Sequence, residues 1–325
     1  MAYATAKQIS ESEIPVIDLA PVSSEDVRGY RQLAADMRCA AEDTGFFYIK
    51  NHGVADATIA KAQAIARRFF ACRQEDKLSV AMHGDGHRGF LSIGEAKMYG
   101  NALSDLKESY VWGLDIPDDD PDYRAGSILA PNAWPDFLPE MQPALNEYFE
   151  ATHVCGRHLL RAFAISLELP MNYFIGDFDK PVSRGSLVYY PPQPANLGEK
   201  QFGVGPHTDY GCMTMVYQDD VGGLQIATNK GEWVTAVPIE GTFVVNVGDL
   251  LARWSNDHFK STPHRVVNSS GIERYTVAMF IDPNANTEVV PAYEGEAPKY
   301  EPVQVGNYIQ SRYDASFKYR EPAGS

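Results

Sequence analysis

The feature that most restricts this chain is the pattern of residues 183–290, where short apolar runs alternate with Gly, Pro and Asn. Runs of this length, rich in β-branched and aromatic residues and bounded by turn formers, are typical of β-strands. Before residue 183 the apolar residues recur mainly at helical spacing, over several long stretches. The chain is therefore predicted to be α+β, with a mainly β core preceded by helices.

The elements around that core are also visible in the sequence. Helical spacing predicts helices from residue 23 or 24 to 44, over 55–72, over 139–169 and over 308–317, and apolar runs predict strands over 14–19, 46–50 and 106–113. No internal repeat and no clean linker divides the chain. We expect one domain over residues 1–325, in which 1–182 support the core, 183–290 form it and 291–325 close it.

Charge and composition exclude several classes of function. The 325-residue chain has a formal net charge of −15 and no evident basic patch, which argues against nucleic-acid binding and against docking on an anionic membrane. No apolar run reaches the roughly 18 residues of a membrane span, and the segment before Ile14 is polar rather than a signal peptide. We expect a cytoplasmic protein. Its oligomeric state is not readable from the sequence.

The four cysteines form no C-x-x-C pair and suggest neither a zinc site nor a disulfide framework. Cys39, Cys72 and Cys155 lie in helix-like stretches and are predicted to be buried thiols. Cys212 follows Asp209 by three residues, which leaves open whether its thiol reaches the same site.

His207 and Asp209 form the most informative pair in the chain. Side chains two residues apart in an extended segment lie on one face, so one strand end can offer an imidazole and a carboxylate to the same ion. His264 is the best-placed third ligand. Two histidines and one carboxylate occupy one face of an octahedron and leave positions open, as Fe(II) oxygenases require, whereas structural zinc sites are closed and usually cysteine-rich.

A basic residue follows this set. Arg274 lies ten residues after His264, and the alternation of Thr276, Ala278 and Phe280 predicts a strand with one face directed inward. A guanidinium is planar, permanently charged and suited to a carboxylate. The sequence thus predicts a metal site beside a carboxylate clamp.

The order of several motifs resembles the isopenicillin-N-synthase-like branch of the 2-oxoglutarate/Fe(II)-dependent dioxygenases. The resemblance covers nearly the whole chain and is carried by the residues named above and by three further segments: Ile14-Pro15-Val16-Ile17-Asp18-Leu19, residues 45–54, and Tyr190-Pro191-Pro192. It implies a double-stranded β-helix, or jelly-roll barrel, flanked by N-terminal and C-terminal helices.

The resemblance also implies roles for individual residues. His207, Asp209 and His264 match the family's metal triad, with no catalytic residue implied beyond these ligands. Arg274 and Thr276 match the pair that grips the distal carboxylate of 2-oxoglutarate, with Thr in place of the usual Ser but with the hydroxyl kept. Tyr190 matches a tyrosine that helps to hold this co-substrate. Two residues earlier, plant members have Asn where this chain has Val188, so one co-substrate contact differs.

The implied activity is an Fe(II)- and 2-oxoglutarate-dependent oxygenation. With O2, such an enzyme oxidises a C–H bond of a small-molecule substrate, by hydroxylation or else by desaturation or cyclisation, and releases succinate and CO2. Two alternatives stay open on sequence alone. Arg274 and Thr276 would equally bind a substrate carboxylate in a 2-oxoglutarate-independent oxidase, and a barrel could bind a small carboxylate without turnover.

The Gly-rich segment 83–109 and the strand that follows it are the candidate substrate region. A long Gly-rich loop in a compact enzyme is typical of a lid or substrate loop. Arg88, Phe90 and Tyr110 are the residues from which we expect substrate contacts. His83 and His87, in the same segment, are expected to be exposed.

Overall fold

A computed structural model describes residues 7–8, 14–22, 27–84, 86–96, 103–117, 119–123, 128–193, 201–293 and 295–317. Within these ranges the chain forms six α-helices: α1 Val27–Asp43, α2 Asp56–Phe70, α3 Gln74–Leu78, α4 Met141–Ser166, α5 Asp249–Trp254 and α6 Val305–Ser316. The long predicted helices correspond to α1, α2, α4 and α6, with ends that differ by a few residues. The predicted start of the first helix, at residue 23 or 24, lies outside the described residues.

Fifteen strands occur in the same ranges: β1 Lys7–Gln8, β2 Val16–Asp18, β3 Phe46–Lys50, β4 Gly89–Leu91, β5 Glu108–Gly113, β6 Arg184–Tyr190, β7 Val204–His207, β8 Met213–Gln218, β9 Leu224–Ala227, β10 Trp233–Thr235, β11 Phe243–Val247, β12 His264–Val266, β13 Arg274–Ile281, β14 Glu288–Val289 and β15 Val303–Gln304. Nine of them, β6 to β14, fall within residues 183–290, as the turn-separated apolar runs predict.

Two sheets build the core. The larger has eight strands in the order β2-β3-β11-β8-β13-β6-β5-β4, and the smaller has five in the order β1-β10-β9-β12-β7. Side chains from both sheets line one cavity, so the sheets face each other around it. The predicted double-stranded β-helix with flanking helices is confirmed.

Strand β13 shows how the sequence places side chains on the two faces of the larger sheet. Arg274, Thr276, Ala278 and Phe280 line the cavity. The alternate residues, from Tyr275 to Ile281, belong to the main hydrophobic core on the opposite face, where β13 contacts α2 and α4. Both faces are covered, which explains why this strand has an almost continuous apolar sequence.

The strands of the N-terminal half are continuous with the core sheet. β5 pairs antiparallel with β6 over Glu108–Gly113, and β3 pairs antiparallel with β11. Residues 1–182 therefore contribute four strands to the eight-stranded sheet, at its two ends. The division at residues 182 and 290 stays a prediction.

Two of the four cysteines differ from expectation. Cys155 is buried as predicted, but Cys39 is exposed and Cys72 is only half-buried. The buried face of α1 runs through Tyr30, Leu33, Ala34 and Met37, and Cys39 falls outside that stripe. For Cys39, the position on the helix decides the exposure, whereas Cys72 follows the end of α2 at Phe70.

Among the described residues, no helix combines the length and the apolarity that crossing a membrane requires.

Candidate metal and co-substrate site

His207, Asp209 and His264 converge at one end of the cavity. One ligand atom from each lies within 4.8 Å of the other two. Asp209 Oδ1 is 3.7 Å from His207 Nε2 and 3.8 Å from His264 Nε2. Strands β7 and β12 bring the histidines together, because His207 and His264 are direct partners in the antiparallel ladder. The three groups can therefore contact one ion.

Each histidine is oriented by a backbone carbonyl. Nδ1 of His207 donates to Gly205 O at 2.8 Å, and Nδ1 of His264 donates to Thr262 O at 3.1 Å. A carbonyl oxygen only accepts, so each Nδ1 carries the proton and each Nε2 presents its lone pair. Burial, reinforced by neighbouring His264, lowers the pKa of His207 to about 3, which keeps this ligand neutral.

Asp209 is held by two side chains from the larger sheet. Its Oδ2 accepts from Asn246 Nδ2 at 2.7 Å and from Thr214 Oγ1 at 2.5 Å, which leaves Oδ1 turned toward the two histidines. Burial alone would raise the pKa of Asp209, but the neighbouring histidines and these two hydrogen bonds hold it below its ordinary value. The carboxylate is thus ionised and fixed in orientation.

Gly248 lets the Asp209 loop pack closely against the turn between β11 and α5. A Cβ at this position would lie 2.3 Å from Gly211 O and 3.1 Å from Asp209 O. The Asp249 N–H donates to Asp209 O at 2.7 Å across the same contact. Any larger residue at 248 would displace the ligand loop.

The donor set suits Fe(II). Two neutral imidazoles and one carboxylate, with no thiolate among them, form the facial arrangement that non-haem iron oxygenases use. Cys212 is fully buried and is not among the residues that line the cavity.

Arg274 provides the second chemical feature of the cavity. Its side chain is 1% exposed, and its Nε and Nη1 have no hydrogen-bond partner among the described residues. Nη2 makes only a long contact, 3.4 Å, to Gln218 Oε1, and the guanidinium carbon lies 4.7 Å from the centre of the Tyr190 ring. A carboxylate could accept hydrogen bonds from both unpartnered N–H groups and neutralise this buried cation.

Thr276 and Tyr190 lie beside Arg274. Tyr190 is the direct β6 partner of Arg274, and Thr276 is the next inward residue of β13. Both line the cavity, so the three residues assigned to the co-substrate lie together. Val188, the departure from the plant pattern, also lines it, and its direct β5 partner is Ser109, a cavity-lining hydroxyl.

The cavity has a volume of about 120 Å³. It extends from Arg274 past the metal ligands to a second group of residues that the sequence did not single out for this role. That group comprises His87, Arg184, Tyr210, Tyr313 and Phe317. Lys107 also lines the cavity, but it directly precedes β5 and lies toward Tyr190.

Arg88, Phe90 and Tyr110 are not among the residues that line the cavity. All three are buried: Arg88 contacts the carbonyls of Gly86 and His87, Phe90 packs on Phe69, and Tyr110 donates to Ala133 O at 2.8 Å. Their neighbours Leu91, Ser109 and Val111 line the cavity instead. In a strand, successive side chains point to opposite faces, so a shift of one residue changes which side chains face the cavity. The substrate contacts themselves stay a prediction.

His87 also differs from expectation. It was predicted to be exposed but is 3% exposed, with its ring 4.1 Å from Tyr313 and 4.5 Å from Phe317, centre to centre. These partners lie at the C-terminal end of the chain, more than 200 residues away, so local sequence carries no signal for the contact. His83 is exposed, as predicted.

Of the residues missed, Arg184 had a usable signal. Counting back in twos from Tyr190 gives Val188, Ser186 and Arg184, and all four line the cavity. The alternation that placed Arg274 inward would have placed Arg184 inward as well.

Comparison with known proteins agrees with this geometry. Residues 183–283 match the family model of the 2OG-Fe(II) oxygenase superfamily, and residues 14–137 match that of the non-haem dioxygenase in morphine synthesis N-terminal region. The 2-oxoglutarate-Fe(II) type oxidoreductase hxnY of Emericella nidulans is 32% identical over 93% of this chain and 90% of its own length. Homoarginine-6-hydroxylase 2-ODD-233 of Oryza sativa is 32% identical, over 94% of this chain and 97% of its own.

Solved structures show the same fold. A full-length Neurospora crassa protein in complex with alpha-KG and thymine superposes with a TM-score of 0.83 at 31% identity, over 94% of this chain and 98% of the Neurospora chain. JOX2 in complex with 2OG, Fe and JA gives a TM-score of 0.76 at 27% identity, over 94% of this chain and 89% of JOX2. The chain belongs to the 2OG-Fe(II) oxygenase superfamily, and it is an Fe(II)- and 2-oxoglutarate-dependent oxidoreductase that acts on small molecules.

Proposed function

We propose that His207, Asp209 and His264 bind Fe(II), and that Arg274, with Thr276 and Tyr190, binds the distal carboxylate of 2-oxoglutarate. The observation that carries the second assignment is the pair of buried Arg274 N–H groups without a partner in the described chain. Arg274 and the three metal ligands line the same cavity, so one small dicarboxylate can be shared between them.

The residues of this chain have distinct tasks in the reaction. Fe(II) and 2-oxoglutarate, when bound, supply the oxidising chemistry that O2 drives, with release of succinate and CO2. Asn246 and Thr214 keep Asp209 ionised and oriented, and the carbonyls of residues 205 and 262 keep both imidazoles neutral. The apolar side chains between Arg274 and the ligands limit water around the co-substrate. Hydroxylation of a substrate C–H bond is the outcome we assign.

The substrate end of the cavity is lined by the group that contains Arg184 and Tyr210. Relatives of this chain act on different molecules: one is a homoarginine-6-hydroxylase, and solved neighbours bind thymine or JA. We propose a small-molecule substrate of similar size that enters beside Arg184, and a cytoplasmic location, which four free cysteines support.

An anaerobic titration tests the co-substrate and metal assignments together. Fe(II) and then 2-oxoglutarate are added to the protein, and the visible charge-transfer band of the chelate is recorded. Wild type should develop the band only when both are present, and Asp209→Ala should not develop it. A band of wild-type intensity in Asp209→Ala would contradict the ligand assignment, and a wild type that binds Fe(II) but never develops the band would favour a 2-oxoglutarate-independent oxidase.

A further inference from the structure

Besides Arg274, two cations line the cavity, and each lies near a buried carboxylate. Arg184 Nη1 is 3.3 Å from Asp282 Oδ2, and Lys107 Nζ is 3.9 Å from Asp105 Oδ2. Arg184 and Lys107 line the cavity, whereas neither aspartate does. Arg184 lies at the Phe280 end of β13, whereas Lys107 directly precedes β5 and lies toward Tyr190. Each cation therefore has a carboxylate nearby, and Arg184 is the cation at the substrate end.

Both aspartates are part of the fold. Asp282 is 0% exposed and accepts the Cys212 N–H at 2.9 Å; Asp105 is 1% exposed and accepts the Gly205 N–H at 3.0 Å. Burial raises the pKa of each to about 6, so both are mainly ionised at pH 7 and above. The ion pair of Arg184 and Asp282 thus exists before any substrate enters, whereas Asp105 lies near Lys107 without a hydrogen bond to it.

The remaining charges of the cavity also match one another. Of the described residues that line it, Lys107, Arg184 and Arg274 are the cations and Asp209 is the one carboxylate. On the proposed function, Arg274 pairs with the distal carboxylate of 2-oxoglutarate. The charge of Fe(II) is then balanced by Asp209 and by the other carboxylate of the co-substrate. Every charge among these lining residues therefore has a partner before the substrate binds.

A charged substrate would upset this balance in a buried site, where an uncompensated charge is costly. Arg184 nevertheless keeps donors for a neutral acceptor, because its one hydrogen bond within the described ranges is to Asp282. Its guanidinium carbon lies 4.2 Å from the centre of the Phe280 ring and 5.0 Å from that of Tyr313. The cavity surface next to Arg184 is therefore partly aromatic.

We propose that the substrate is an uncharged, planar molecule whose carbonyl-type acceptors bind Arg184, and that Asp282 sets this preference by neutralising Arg184. The proposal rests on the proposed function, which supplies the partners of Arg274 and the metal. It assigns Asp282 as a specificity-determining residue that does not touch the substrate.

Three probes of one shape and different charge test the proposal: benzamide, benzoate and benzamidine. Each is titrated at pH 8 into the anaerobic protein loaded with Fe(II) and 2-oxoglutarate, and binding is read from the charge-transfer band and from ligand-observed NMR. Benzamide should bind at least about tenfold more tightly than either ion. Benzoate or benzamidine binding as tightly as benzamide would overturn the proposal, and so would a wild type that binds none of the three.

Asp282→Asn gives a second, independent outcome. The amide keeps the acceptor for the Cys212 N–H but leaves Arg184 unneutralised, so the benzoate-to-benzamide preference should shift toward benzoate by about tenfold or more. An unchanged preference would overturn the proposal. Glu108→Gln is the matched control, because Glu108 forms an equally buried pair with Lys77 at 2.7 Å outside the cavity, and its preference should stay that of wild type.

The titration distinguishes an error in the proposed function from an error in the substrate class. If the charge-transfer band never forms in wild type, the proposed function is wrong. If the band forms and the anion is preferred, only the substrate class is wrong.

Discussion

Replacing Arg274 by Met should separate co-substrate binding from folding. Met has a similar length and no charge, so the packing around β13 is largely kept while the two unpartnered donors, Nε and Nη1, are lost. A hydrogen bond to a charged group contributes about 1.5–3 kcal/mol. Two such bonds to one carboxylate give about 3–6 kcal/mol, which weakens 2-oxoglutarate binding by roughly 10² to 10⁴.

The expected change in the free energy of unfolding distinguishes Arg274→Met from an ordinary substitution of a buried residue. In the absence of 2-oxoglutarate, Arg274 is a buried guanidinium with no carboxylate partner in the described chain, so its removal should not lower the free energy of unfolding. Arg265→Met is the matched control. Arg265 is also buried, but its Nε donates to Gln225 at 2.8 Å and its guanidinium stacks 4.0 Å from the Trp233 ring. That variant should be less stable yet should bind 2-oxoglutarate normally.

Thermal unfolding with and without 2-oxoglutarate measures both quantities, because a ligand that binds the native state raises the melting temperature with its concentration. Wild type and Arg265→Met should show this rise, and Arg274→Met should lose it at millimolar co-substrate. A co-substrate affinity within tenfold of wild type in Arg274→Met would refute the reasoning and point to a clamp for the substrate itself.

Three further predictions concern the metal ligands and the surrounding core. His207→Ala and Asp209→Ala should each lose Fe(II) binding in anaerobic equilibrium dialysis with unchanged far-UV circular dichroism, and near-normal turnover in either would contradict the triad. Asn246→Ala, which removes a hydrogen bond to Asp209, should weaken Fe(II) binding by about 10- to 100-fold while Thr214 keeps the fold of the loop; an unchanged dissociation constant would count against that role. Burial lowers the pKa of His153 from 6.5 to about 4, so its contribution to stability is present above pH 6.5 and is lost as pH falls toward 4, by at most about 3 kcal/mol. His153→Phe should flatten chemical-denaturation stability over that window, and an unaltered slope would show that the imidazole is not the group responsible.

The metal site could be predicted because its signal is local. His207 and Asp209 are two residues apart at a strand end, so their relative geometry follows from the strand itself, and the position of Arg274 follows from the alternation of β13. The β core was readable for the same reason, since period-two runs between turn residues need no knowledge of the partners.

The partners of the substrate end could not be predicted in this way. The alternation of β6 predicts that Arg184 faces inward, but no local pattern predicts its ion pair with Asp282, nearly 100 residues later. The hydrogen bond from the Gly205 N–H to Asp105 also joins segments that are far apart in the sequence. Tyr110 was expected to face the cavity, but its two neighbours Ser109 and Val111 line it instead. A strand can be placed correctly while the choice of inward face is reversed.

The mixed origin of the eight-stranded sheet has a practical consequence for anyone who wishes to shorten or recombine this enzyme. β6 is flanked by β13 and β5, and β11 by β8 and β3, so a cut at residue 182 would strip one neighbour from each. Both strands would then be edge strands with unpaired backbone N–H and C=O groups, which promote self-association. Chimeras of this oxygenase should exchange loops rather than halves.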